Sequence, residues 1–130
     1  MKIGLSAFAV TFVALFLVSF TTSAQERPIS KGEVLFSASG CGNCHTDVKN
    51  KGAFLAGGRK FKTPFGTFYA PNITRDKKHG IGGWLDADFI KAIRKGIAPD
   101  GNHYFPVFPY PAFTLMTDAD LKAIKDYIFT

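Results

Sequence analysis

Two cysteines separated by two residues, with a histidine directly after the second, form the chemically most distinctive segment of this sequence: Cys41-Gly42-Asn43-Cys44-His45. This spacing is typical of a site at which a c-type haem is attached. Each thiol can add to one vinyl group of the porphyrin, and the imidazole can then reach the iron from the proximal side. The segment therefore predicts one covalently held haem c, attached through Cys41 and Cys44, with His45 as an iron ligand.

A Cys-x-x-Cys pair can also be half of a zinc site, a redox-active dithiol or a disulfide. A zinc site needs about four ligands, and the other histidines, His79 and His103, are not in paired spacing. A dithiol oxidoreductase would place its motif between a strand and a helix, and no strand-rich pattern precedes Cys41. A disulfide would suit an exported protein but would leave His45 unexplained. The residues favour haem over these three alternatives.

The first 24 residues have the organisation of a secretory signal peptide. Lys2 supplies a positive start, an apolar run covers residues 3–20, and Thr22-Ser23-Ala24 offers small residues for cleavage. The apolar run is also long enough for an uncleaved anchor, in which case the chain would contact the membrane. Cleavage is favoured because small, polar residues follow at once. We therefore expect a periplasmic location and one monohaem domain over residues 25–130.

The sequence carries a formal net charge of +6, from 16 lysines and arginines against 10 acidic residues. Removing Lys2 with the signal peptide leaves +5. This moderate excess suits electrostatic steering towards an acidic redox partner protein. Nucleic acid is not expected as a partner, because the chain is exported and has no nucleic-acid motif.

The first helix of the domain is expected after Ser30, whose hydroxyl can cap its amino end. Gly40 should break this helix just before the cysteines. Gly32 and Phe36 lie four residues apart and share a face, where the glycine would let another helix approach closely. We predict that the last helix crosses the first at this face and contacts it through Tyr127.

Two glycines, Gly57 and Gly58, lie in a loop that follows the cysteine motif. We expect the backbone to turn there beneath the haem edge, where a carbonyl would accept a hydrogen bond from the free nitrogen of His45. A mobile surface turn is the alternative.

Residues 60–74 alternate aromatic and turn-forming residues. The pattern is compatible with a β-hairpin, since aromatics and threonine favour strands. Beside a haem, however, we expect the same residues to form an irregular wall. Asn72 and Thr74 are candidate hydrogen-bond donors to a haem propionate, although both are also ordinary turn residues.

Two further helices are marked by their start signals. Asp86 is predicted to cap a helix over residues 87–95, with Trp84 beginning the buried stretch before it. Thr117 and Asp120 form a capping-box variant at the start of the last helix. The four prolines between these helices exclude a regular helix or a central strand there. We therefore predict a rigid apolar loop over the second haem face.

From Ser30 to Phe129 the chain resembles a class I cytochrome c domain, in particular those in the cytochrome subunits of bacterial alcohol, aldehyde and gluconate dehydrogenases. Besides the cysteine motif, the resemblance is carried by Leu55-Ala56-Gly57-Gly58, Thr63-Pro64-Phe65-Gly66-Thr67, Asn72-Ile73-Thr74, Gly80-Ile81-Gly82-Gly83-Trp84 and Phe108-Pro109-Tyr110-Pro111. It implies an all-α fold, with helices packed around one covalently bound haem and joined by long irregular loops. Such subunits commonly carry three haem domains, whereas this sequence has one haem motif.

The resemblance also implies a methionine as the sixth iron ligand, within a Pro-x-Met-Pro-Tyr segment. Here Phe108 stands at that position, and phenylalanine cannot ligate iron. Met116, at the end of the same loop, is the predicted displaced ligand; a core methionine that fills space is the alternative. His103 is the principal alternative ligand, His79 is a weaker one, and a vacant sixth position is also allowed. The full set of candidate haem-contacting residues is Cys41, Cys44, His45, Pro64, Asn72, Trp84 and Met116.

The predicted function is electron transfer: taking single electrons from a dehydrogenase and passing them to another cytochrome or a terminal oxidase. Methionine ligation would raise the reduction potential relative to ligation by two histidines. We do not expect an enzyme, because the apolar wall contains no obvious acid or base beyond the histidines. Two alternatives remain. One is a fixed electron-transfer subunit of a dehydrogenase complex, and the other is an enzyme or small-ligand sensor with an open iron site, motivated by Phe108.

Overall fold

The computed structural model describes residues 27–130, so the predicted signal peptide lies outside the described residues. In this range the chain forms four α-helices and one hairpin. The helices are α1 (Lys31–Ala38), α2 (Cys41–His45), α3 (Asp86–Lys95) and α4 (Asp118–Ile128), and the hairpin strands are β1 (Lys60–Thr63) and β2 (Gly66–Tyr69). Short 3₁₀ turns cover Val48–Asn50 and Tyr110–Phe113. None of the helices in the described range is long and apolar enough to cross a membrane.

The first and last helices cross in close contact, as the spacing of Gly32 and Phe36 predicts. A Cβ atom built on Gly32 would lie 2.1 Å from the carbonyl oxygen of Ala123 on α4, so only glycine fits there without movement. One turn later, the ring centroids of Phe36 and Tyr127 lie 5.1 Å apart. The predicted crossing of α1 and α4 is confirmed.

The core lies between α1, α3 and α4 and includes two loop residues. It consists of Phe36, Leu55, Ile81, Phe89, Leu121 and Ile124, all buried. Leu121 on α4 is fully buried. Because these side chains come from five separate elements and loops, packing in this core fixes the positions of the long loops as well as those of the helices.

The helix starts follow the predicted caps, with one correction. The Ser30 hydroxyl accepts a hydrogen bond from the Glu33 amide at 3.1 Å, and Thr117 accepts one from the Asp120 amide at 3.1 Å. Asp86, however, does not cap α3 but is its first residue. The cap position is Leu85, whose amide donates to the Asp88 carboxylate at 3.0 Å.

Asp86 instead takes part in an interaction between α3 and α4. Its Oδ1 accepts from the Lys125 Nζ at 2.8 Å, and the same ammonium donates to the Trp84 carbonyl at 2.7 Å. The Lys125 side chain is only 7% exposed. This hydrogen bond from Lys125 holds the pKa of the Asp86 carboxyl below its ordinary value.

Residues 60–69 form a hairpin, so the irregular wall expected there is wrong. The register pairs Lys60 with Tyr69 and Thr63 with Gly66 across a two-residue turn. The Thr63 hydroxyl donates to the Gly66 carbonyl at 3.0 Å and accepts from the Phe65 amide at 3.1 Å. These local bonds close the turn and let the aromatic and threonine residues adopt their strand preference. The other regular elements of the described range are helical, as expected.

The proline-rich loop is irregular, as predicted, apart from the 3₁₀ turn at Tyr110–Phe113. Its Phe108 ring lies within 6.0 Å of both Tyr104 and Phe113, centroid to centroid. Phe105, earlier in the loop, stacks on Phe68 of β2 with centroids 4.1 Å apart. Aromatic contacts therefore join the loop to the hairpin.

We expect Gly32→Ala to lower the free energy of unfolding by about 1–3 kcal/mol, because the added methyl group overpacks the helix crossing. Urea unfolding measures this change. Ser37→Ala, at an exposed position of the same helix, is the control and should change stability little. Equal effects of the two substitutions would contradict the close crossing.

We expect Asp86→Asn to destabilise the protein near pH 7, because it leaves the buried Lys125 ammonium without its carboxylate partner. Since the pKa of Asp86 is lowered on folding, its contribution is present above the ordinary carboxyl pKa of about 4. The contribution is lost as the pH falls through the folded-state pKa. Urea unfolding at a series of pH values should therefore show the stabilities of variant and wild type converging in acid.

The control for this experiment is Asp126→Asn, which removes an exposed pair with Lys122 within α4. Exposed pairs of this kind contribute little, so the control should cost less stability than Asp86→Asn near neutral pH. A stability difference between Asp86→Asn and wild type that does not change with pH would contradict our interpretation.

Candidate functional site

The cysteines and the histidine of the motif share one face of α2. Residues three and four positions apart on a helix are neighbours, so Cys41, Cys44 and His45 project from the same side. Gly40, with φ of 68°, separates this short helix from α1, as predicted. Both cysteines are free thiols. Burial raises the pKa of the Cys41 thiol to about 11.

His45 is oriented by a backbone carbonyl. Its Nδ1 lies 2.9 Å from the carbonyl oxygen of Pro71. A carbonyl can only accept, so Nδ1 carries the proton and Nε2 keeps its lone pair. Burial lowers the pKa of His45, and the hydrogen bond to Pro71 opposes this shift only in part. The imidazole is therefore held neutral, in the form that binds a metal through Nε2.

The loop glycines support this arrangement differently from the expectation. The predicted hydrogen bond from His45 to a backbone carbonyl is confirmed, but the acceptor belongs to Pro71 and does not lie in the glycine turn. Gly57, with φ of 79°, is buried and leaves no room for a side chain: a Cβ there would lie 2.5 Å from the Ala70 carbonyl oxygen. Its amide donates to the His45 carbonyl at 2.8 Å. Gly57 thus lets the segment at 70–72 pass close to α2.

Asn72 and Thr74 form a tight turn of their own. The Asn72 Oδ1 accepts from the Thr74 amide at 2.8 Å and from the Thr74 hydroxyl at 2.7 Å. The hydroxyl hydrogen of Thr74 is therefore already used, which argues against its predicted role as a propionate donor. The Asn72 amide nitrogen takes no part in these two bonds.

The remaining candidate residues fall into two groups. Trp84 and Met116 are half-buried and pack on the same core cluster as Cys41. Pro64 lies exposed in the hairpin turn, and His103 and His79 are exposed in loops. The structure thus places Met116 close to the interior and the two alternative histidine ligands at the surface.

Arg94 on α3 supports the site, although the sequence analysis does not single it out. Its Nη2 donates to the Met116 carbonyl at 2.7 Å and to the Asp118 Oδ1 at 2.6 Å. Arg94 thereby fastens the end of the proline-rich loop to the start of α4. Its partners lie more than 20 residues away, and no local pattern in the sequence indicates such a contact.

The chemistry of these residues fits a covalently attached haem. The site offers two free thiols and a neutral imidazole on one helix face, and the proline-rich loop supplies apolar side chains. Of that loop, Phe105, Val107 and Leu115 remain exposed, as suits a surface meant to cover a large apolar group. In residues 27–130 no group of three or more histidine, cysteine or acidic side chains is placed to hold a metal ion.

Comparison with known proteins agrees with this chemistry. A family model for cytochrome c matches residues 29–130. The chain is 43% identical over 111 residues to the fructose dehydrogenase cytochrome subunit of Gluconobacter japonicus, covering 85% of this chain and 23% of that protein. It is 42% identical over 116 residues to the cytochrome c subunit of a quinone alcohol dehydrogenase of Gluconobacter oxydans, covering 86% and 24%.

A third relative is a diheme c-type cytochrome of Cereibacter sphaeroides, 41% identical over 104 residues, covering 78% of this chain and 35% of the relative. The chain therefore spans between 23% and 35% of the length of these three relatives. The residues that the family model matches include the cysteine motif, the hairpin and the last helix.

We expect Arg94→Met to lower the free energy of unfolding by about 1–3 kcal/mol, because it removes two charge-assisted hydrogen bonds and leaves the Met116 carbonyl without this donor. Thermal and urea unfolding measure the change. Lys91→Met, at an exposed position of the same helix, is the control and should have little effect. An unchanged Arg94→Met protein would contradict the role of Arg94 in holding the loop.

Proposed function

The chain belongs to the cytochrome c family, and from this premise we propose that it transfers single electrons between a dehydrogenase and a downstream cytochrome or terminal oxidase. The observation that carries the proposal is the placement of Cys41, Cys44 and His45 on one face of α2, with the His45 ring oriented by the Pro71 carbonyl at 2.9 Å. In this role the chain is an electron-transfer protein and not itself an enzyme.

We propose that the chain holds one haem c, through thioether bonds to Cys41 and Cys44 and through the His45 Nε2 on the iron. When bound, the haem supplies an iron that alternates between the ferric and ferrous states. The hydrogen bond to Pro71 keeps the histidine ring in one orientation and tautomer, as partners of metal-bound histidines commonly do. One Cys-x-x-Cys-His motif in the sequence supports a count of one haem.

We propose Met116 as the sixth ligand. Support comes from its half-buried position on the core that Cys41 also contacts and from Arg94, which holds its carbonyl. His103, the alternative ligand, lies exposed. Trp84 and Asn72 are further proposed haem contacts, together with Pro64, for which the support is weaker because it lies exposed in the hairpin turn.

We propose that the protein works in the periplasm after export by the segment at 1–24, and that its partner is acidic. The apolar run with its small residues supports export, and the net charge of +6 supports an acidic partner. The names of the dehydrogenase relatives support a dehydrogenase as the electron donor.

A fixed subunit of a dehydrogenase complex is the second candidate function. It is favoured by the relatives, whose names describe cytochrome subunits of fructose and alcohol dehydrogenases. The same haem-binding residues would serve both functions, and the difference lies in how long the partner stays bound. Co-purification of a dehydrogenase with the tagged chain at physiological salt supports the subunit, and isolation of the cytochrome alone supports the carrier.

The proposed function is tested on the purified, haem-loaded protein and its Met116→Ala and His103→Ala variants. We expect a haem-to-protein ratio of one, a reversible one-electron redox titration, and a weak long-wavelength sulfur-to-iron absorption band. The band should be lost in Met116→Ala and kept in His103→Ala, with a lower reduction potential in the former. A high-spin ferric spectrum that neither substitution changes would contradict the carrier proposal. It would favour an open iron site that binds small ligands.

A further inference from the structure

The excess of positive over negative charge in this protein comes from one segment of the chain. Between Val48 and Arg75 the sequence contains six basic residues and no acidic one. In the rest of the chain, ten basic residues are matched by ten acidic residues. The net charge of +6 is therefore the charge of this segment alone.

The cations of the segment also differ in their pairing from most of those on the helices. In the described range Lys31, Arg94, Lys122 and Lys125 form ion pairs with carboxylates, and among the helix cations only Lys91 and Lys95 on α3 do not. Over residues 27–130, the six cations of the segment form no ion pair with a carboxylate. Because no carboxylate neutralises these side chains, their positive electrostatic potential extends into the solvent.

The hairpin in this segment has two different faces. Phe61 and Phe68 pair across the strands and are half-buried, and Phe105 stacks on Phe68 from the loop side. The opposite face presents Lys60, Lys62 and Tyr69, all exposed. The Lys60 ammonium lies 5.5 Å from the centroid of the Tyr69 ring.

Two further exposed residues lie next to this face and not on it. The Arg59 guanidinium is 5.4 Å from the centroid of the Phe61 ring, and the Phe65 ring at the turn, 81% exposed, lies 6.0 Å from that of Phe105. We call Lys60, Lys62 and Tyr69, which share the outward face, the hairpin surface. In the described range it combines an exposed aromatic ring with two cations that form no ion pair, and aromatic side chains are enriched at protein interfaces.

The residues just before β1 and just after β2 are hydrogen-bonded to the haem-attachment segment. Arg59 donates from its guanidinium to the carbonyl of Asn43, which lies between the two cysteines. After β2, the Pro71 carbonyl accepts from His45. A partner on the hairpin surface would therefore sit directly beside the cysteines that attach the haem.

We propose that the hairpin surface is the site at which an acidic electron-transfer protein docks. This inference rests on the proposed electron-transfer function and adds the location of the partner. An acidic protein complements the Lys60 and Lys62 ammonium groups and can contact the exposed ring of Tyr69. A lipid headgroup surface fits less well, because clusters of about four to eight basic side chains are typical of lipid binding.

The test compares charge reversal on the hairpin with matched reversal elsewhere, in the haem-loaded protein. The hairpin variant is Lys60→Glu with Lys62→Glu, and the control is Lys91→Glu with Lys95→Glu, both exposed on α3. The two variants have the same net charge. The reduced proteins are oxidised in a stopped-flow instrument by hexacyanoferrate(III), an anion, and by tris(phenanthroline)cobalt(III), a cation.

At an ionic strength of about 0.01 M, where the Debye length is about 30 Å, we expect the hairpin variant to react roughly tenfold more slowly with the anion. It should react faster with the cation, and the control should change little in either reaction. The differences should fade at about 1 M salt. Lys60→Gln with Lys62→Gln should give an intermediate effect if charge reversal disturbs folding.

A second arm tests docking of a polyanionic chain. Poly-L-glutamate should slow the hexacyanoferrate reaction of the wild type and of the α3 control, but not that of the hairpin variant. Equal inhibition of all three proteins would overturn the proposal. A membrane surface would be identified instead by two results together. Poly-L-glutamate would not slow the reaction of the wild type, and the wild type but not the hairpin variant would sediment with phosphatidylglycerol vesicles.

The outcome also separates this inference from the proposed function. If the docking proposal fails, both oxidants still take electrons from the protein, and the hairpin and α3 variants behave alike. If the electron-transfer function fails, none of the proteins exchanges electrons reversibly with either reagent.

Discussion

A hydrogen bond from His45 to the Pro71 carbonyl is the interaction on which the arrangement of the site depends. The histidine lies on α2, a helix of only five residues, and so short a helix has little stability of its own. Its orientation must therefore come from outside the helix. The segment at 70–72 supplies it, and can approach closely enough because Gly57 has no side chain. His45 and the hairpin that leads into Pro71 are consequently positioned together.

A lysine between the helices is buried and paired, whereas the lysines of the hairpin are exposed. Lys125 is buried, and its ammonium bridges Asp86 on α3 and the Trp84 carbonyl. Such a group stabilises a fold only while its partners are present, so it specifies how α3 and α4 pack. Lys60 lies exposed over a tyrosine ring, with its charge directed to solvent. The same residue type thus organises the interior in one place and can attract an acidic protein in the other.

Local signals in the sequence predicted the parts of the structure that depend on neighbouring residues. The Cys-x-x-Cys-His spacing indicated the cofactor, since its geometry needs only one turn of helix. Ser30 and Thr117 marked helix starts because capping bonds span three residues. Gly32 indicated a close crossing because four-residue spacing places it on the face of Phe36. For residues 60–69 the sequence allowed either a hairpin or an irregular wall. The strand preference of single residues is a weak signal when the partner strand is not known.

The sequence by itself indicated the family and the haem-attachment motif, marked the starts of α1 and α4, and determined the sign of the net charge. The tertiary structure alone decided that Pro71 and not Gly57 orients His45, that Asp86 pairs with Lys125 and does not cap α3, and that Arg94 holds the Met116 carbonyl. Each of these contacts joins residues more than 20 positions apart. Their partners are chosen by how the chain packs around its core, and no spacing along the chain encodes that choice.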